Sequence, residues 1–111
     1  MKSSNASVDW IAIDAGPLIA LARLDLLQLP TRMFARVLIT DAVAAECLVD
    51  PTYREYAAIK SSLDRGLVER REWTRPQPAA TWHLDLGEAS TIEMAIRLKT
   101  AILVDDLAAK C

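Results

Sequence analysis

The chain has 111 residues, 52% of them hydrophobic and 25% charged, a profile that excludes a disordered tail, a fibre or a membrane span and fits one globular domain over residues 1–111. Its formal net charge is −2, so no surplus of Lys and Arg marks a nucleic-acid groove. A phosphate-binding surface on such a chain would need bound cations to reverse the local field.

Residues 1–7 carry no structural pattern and are expected to be a flexible N-terminus. Residues 8–13 (VDWIAI) are β-branched and aromatic and end in Asp14-Ala15-Gly16-Pro17, which predicts a strand, a turn and a helix start. The helix over residues 17–27 places Leu18, Leu21, Ala22 and Asp25 on one face, and Pro30 is expected to stop or kink it. Residues 36–40 (RVLIT) read as a second buried strand, followed by a helix over 42–48 that Asp41 would cap and that carries Glu46. Asp50-Pro51 opens a further helix through Tyr53, Tyr56, Ile59 and Leu63, with Gly66 as its stop. A short strand is expected over 67–72, and an irregular connection with Pro76 and Pro78 over 74–85. The helix over 88–99 presents Ala89, Ile92, Ala95 and Ile96, and residues 101–104 form the last strand, ending in Asp105-Asp106.

Strands separated by helices imply an α/β fold with a parallel sheet, whose ligands bind outside the carboxyl ends of the strands. Asp14 and Asp105-Asp106 fall at two such ends. Each acid also has an ordinary explanation. Asp14 suits a turn, Glu46 a solvated helix face, Glu88 the positive end of a helix dipole, and Asp105 and Asp106 a cap. Together they suggest one cluster. Two carboxylates about 4 Å apart repel by about 4 kcal/mol at an effective dielectric near 20, a cost that protons or divalent cations relieve. Oxygen-only donors, with His83 the one histidine, favour Mg²⁺ or Mn²⁺ over zinc.

Three stretches, IDAGPLIALARLDLLQLP, RVLITDAVAAEC and LDLGEASTIEMAIRLKTAILVDDLAAK, occur in an order that resembles the PIN-domain family, and within it the PIN-like proteins related to VapC-type toxins. The resemblance implies a three-layer fold with a central parallel sheet flanked by helices, and metal-dependent endoribonuclease activity. It makes Asp14, Glu46, Glu88 and Asp106 the catalytic acids, with Asp105 a rival to Asp106 as metal ligand. It also implies Mg²⁺ or Mn²⁺, an RNA substrate, an antitoxin protein as partner, and a homodimer. Relatives generally continue with a further helix and strand, whereas this chain stops at Lys110-Cys111, so a C-terminally short version of the fold is expected.

Two other classes compete. A catalytically silent PIN-like module that binds RNA or protein would keep the fold without the chemistry. A phosphoacceptor receiver domain would need an acidic pair after its first strand, where this chain has Asp14 alone. Arg65, Arg70, Arg71 and Arg75 suit a solvated face better than a phosphate contact, and Trp73 and Trp82 suit packing of the proline loop better than base stacking. His83 is expected in the same loop without catalytic duty. Cys47 and Cys111 form no C-x-x-C pair, and Cys47 reads as a small buried residue. Free thiols, the lack of an apolar leader and the lack of a bilayer-length apolar run point to the cytoplasm.

Overall fold

β-branched residues favour extended backbone, where they pack on a pleated surface, and three of the four strands follow that rule. The computed structural model describes residues 9–73 and 86–104. Within them the order is β1 (Trp10–Ile13), α1 (Ala15–Arg23), α2 (Gln28–Met33), β2 (Arg36–Thr40), α3 (Asp41–Cys47), α4 (Arg54–Asp64), β3 (Glu69–Arg71), α5 (Leu86–Leu98) and β4 (Ala101–Leu103). The exception is β3, with the sequence ERR. It lies at an edge, where Glu69 pairs with Arg36 of β2, Nε to Oε2 3.0 Å.

The sheet order is β3-β2-β1-β4, and every neighbouring pair is parallel. Pleating sends alternate residues to opposite sides. Ile11, Ile13, Val37 and Ile39 enter one core with Leu18, Val43 and Ile59 from α1, α3 and α4. Ala12 and Leu38 face the other way, against Met94 and Ala95 of α5. Helices on both faces make three layers, as expected of a parallel sheet. The chain lays β2 and β3 to one side of β1 and then β4 to the other, so the order reverses beside β1. At such a point the carboxyl ends of the strands leave a crevice.

Helix ends differ from the sequence expectation in instructive ways. The first helix stops at Arg23, because Asp25 turns left-handed (φ 60°) and a Schellman pair closes the end, Leu26 N–H to Leu21 O at 2.7 Å and Asp25 N–H to Ala22 O at 3.2 Å. Gly66 (φ 76°) closes α4 and Lys99 (φ 56°) closes α5 in the same way, with Leu67 N–H to Ser62 O and Thr100 N–H to Ala95 O. Only the glycine was visible as a stop. Pro30 lies inside the first turn of α2 and does not end a helix, since that turn has no i−4 partner for its missing N–H. The fourth helix starts at Arg54, later than Asp50-Pro51 suggests, because Asp50 folds into a turn that accepts Thr52 N–H (2.9 Å) and Thr52 Oγ1 (2.7 Å). Those two bonds hold the Asp50 carboxyl below its usual range.

Candidate active site

The carboxyl edge of the sheet is built by β1, β2 and β4. Asp14 follows β1 directly, and its backbone N–H donates to Leu103 O of β4 at 2.9 Å across the point where the strand order reverses. Its backbone is extended (φ −81°, ψ 169°) and it occupies the N-cap position of α1, yet the side chain makes no capping bond to that helix. Asp14 is only 7% exposed.

At the end of β2, Thr40 rather than Asp41 caps α3, its hydroxyl accepting the Val43 N–H at 3.2 Å. The expected cap was one residue late. Asp41 instead begins the helix and faces Arg70 of β3, 3.5 Å away. The third helix then runs for two turns and places Glu46 on its exposed side, next to the buried Cys47. Burial, followed by the charges of Glu46, Asp14 and Glu55, pushes the Cys47 thiol up to about 12. Cys47 is thus a neutral thiol at any physiological pH.

Glu88 stands in the first turn of α5, where a carboxylate complements the helix dipole, and it too is only 7% exposed. The start of this helix is fixed by hydroxyls. Ser90 and Thr91 both donate to Gly87 O (2.9 and 2.8 Å), and Ser90 Oγ lies 2.7 Å from Thr40 Oγ1. That buried pair ties α5 to the β2–α3 junction. It also brings Gly87 against Glu46: a methyl built on Gly87 would collide with Glu46 Oε1 and lie 3.0 Å from its Cδ.

Thr40, Gly87 and Ser90 were not among the expected site residues. Polar residues in an amphipathic helix are read as outward-facing, but α5 buries Ser90, Thr91 and Glu93 and leaves Ile96 67% exposed. The consecutive hydroxyls after Glu88 were the available signal. Glu93 accepts the Trp73 indole N–H at 2.7 Å, and Trp73 packs against the α5 core, as the packing alternative for this residue anticipated.

The donor set suits a hard divalent cation. Asp14, Glu46 and Glu88 offer oxygen alone. Gly87 leaves open the space that the Glu46 carboxylate occupies. Among the described residues, no three His, Cys, Asp or Glu side chains form a ready-made metal cluster. Asp105 and Asp106 lie outside the described residues, as do Arg75, Trp82 and His83.

The sequence profile of the PIN-domain family matches residues 10–111, and the chain belongs to that family. Its four-stranded parallel sheet with flanking helices is the corresponding nuclease-type fold. No curated protein and no solved structure matches the chain. No helix among the described residues is long and apolar enough to cross a membrane.

Proposed function

We propose that this protein is a metal-dependent endoribonuclease, with Asp14, Glu46, Glu88, Asp105 and Asp106 as the residues that hold Mg²⁺ or Mn²⁺. One observation carries the reading. Two nearly buried carboxylates stand at element junctions, Asp14 directly after β1 and Glu88 in the first turn of α5, and Glu46 reaches the residue preceding Glu88. Burying carboxylates is costly unless positive charge or protons compensate. PIN nucleases generally use divalent metal, and a bound cation would be one source of such charge.

A bound divalent cation would supply an activated water and stabilise the charge that develops on phosphodiester oxygens. The buried Asp14 and Glu88 are the rigid members of the set, each anchored by backbone that belongs to regular structure. Glu46 is the exposed member. In this reading Glu46 would accept a hydrogen bond from the attacking water and take its proton as the P–O bond breaks, a role that Glu88 could also fill. The net charge of −2 makes RNA association depend on the loaded cation. The same reading takes an antitoxin protein and a second copy of the chain as partners, and the cytoplasm as location.

Incubation with structured and unstructured RNA, with and without Mn²⁺, tests the activity. The expected result is internal cleavage that requires Mn²⁺ and is lost in Glu88→Gln. Cation binding without cleavage of either RNA would overturn the nuclease reading and leave a silent binding module.

A further inference from the structure

We propose that Gly87 is a positioning residue whose missing side chain provides the seat for the Glu46 carboxylate beside Glu88. This inference rests on the reading of the carboxyl edge as a divalent-cation site. Glycine is an unfavourable choice within a helix, since it adds backbone entropy to the unfolded state and contributes no side chain. Gly87 is the second residue of α5, and it is not one of the residues with positive φ. No left-handed backbone requires glycine here. What requires it is space.

A Cβ at residue 87 would overlap Glu46 Oε1 and approach Glu46 Cδ to 3.0 Å, whereas Val43 Cγ2, at 3.5 Å, is in ordinary contact. Relief of that overlap has to come from one side or the other. The α5 side is fixed, because Gly87 O accepts two hydroxyls and Ser90 continues to Thr40, the cap of α3. The α3 backbone is held by the same cap. The Glu46 side chain is the movable element, being long and exposed. A methyl group on residue 87 therefore expels the carboxylate and leaves both helices in place.

Two properties separate under this proposal. Gly87→Ala should melt at the same temperature as the parent protein or higher, because alanine is the better helix former. Its Mn²⁺ affinity should fall about tenfold to a hundredfold, the usual effect of disturbing the shell that orients metal ligands. A residue that merely packed the helix would shift melting and affinity together.

The test is Mn²⁺ titration calorimetry with parallel thermal melts on the parent protein, Gly87→Ala, Glu46→Ala and the double variant. The expected result is non-additivity: once Glu46 is truncated, Gly87→Ala changes affinity no further. An unchanged Mn²⁺ affinity in Gly87→Ala overturns the proposal while leaving the cation site intact. Absence of Mn²⁺ binding by the parent protein overturns the cation site and the proposal with it. Should Gly87→Ala melt lower, recovery of the melting temperature in the double variant places the clash on the Glu46 side chain, as proposed. No recovery places it on the backbone and overturns the proposal.

Discussion

The two faces of the sheet are built on different principles. On the α1, α3 and α4 face, Ile13, Leu18, Val37, Ile39, Val43 and Ile59 form a continuous apolar core, and nothing in it requires one particular geometry beyond close packing. On the α5 face, Ala12, Leu38, Met94 and Ala95 make a smaller core, and the same helix buries Glu88, Ser90, Thr91 and Glu93. Hydrogen bonds have directions, so a helix placed by Thr40, Ser90 and Gly87 O is held at one angle and one height. The apolar face accounts for stability and the polar face for position. Of the site acids, Glu88 belongs to the second face, while Glu46 comes from α3 on the first and meets that face at Gly87.

The largest effect separating the faces is expected from Ile39→Ala, which should cost about 2–5 kcal/mol of folding free energy, read from chemical denaturation. Mn²⁺ affinity of the folded protein should not change. Thr40→Val should cost less, about 1–3 kcal/mol, through the lost cap and the lost buried Thr40–Ser90 hydrogen bond. Unlike Ile39→Ala, it should also weaken Mn²⁺ binding, because it unties α5 from α3. If both variants lowered affinity equally, the distinction between the faces would fail.

A smaller, pH-dependent effect belongs to the rim of the apolar face, where Arg23 Nε donates to Glu55 Oε1 at 3.2 Å. The bond to Arg23 holds the nearly buried Glu55 carboxyl below its ordinary range. The contribution is therefore present in full above the unfolded-state value, about 4.3, and is lost as pH falls through the lower folded-state value. Arg23→Ala should melt below the parent protein at pH 7, and the gap should close in increasingly acidic buffer. A gap that stays constant down to pH 2 would show that Arg23 acts through packing alone.

Much of this was legible in the sequence because local chemistry dictated it. The strands VDWIAI and RVLIT, the stop at Gly66 and the first-turn position of Glu88 follow from propensity and turn residues within a few positions of each other. Asp14 was legible as a strand-end acid, and its place beside β4 follows from strand order. What was hidden depends on tertiary approach. Gly87 looks like an ordinary residue of a helix start until α3 brings Glu46 against it, and Ser90 looks solvent-facing until Thr40 supplies its partner. Asp25 and Lys99 end their helices without a glycine to announce it. Asp41 reads as the cap because Asp is favoured over Thr at that position and the two stand side by side.

The central claim is that the acids at the carboxyl edge hold a divalent cation, and Asp14 is the residue on which it turns. The most direct measurement is Mn²⁺ titration calorimetry on the parent protein and Asp14→Asn, with a thermal melt of each without metal. The account predicts saturable binding that is strongly weakened in the variant, together with an equal or higher melting temperature, since a repelling buried charge has been removed. Unchanged Mn²⁺ binding, or a variant that no longer folds, would contradict it and make Asp14 a structural residue.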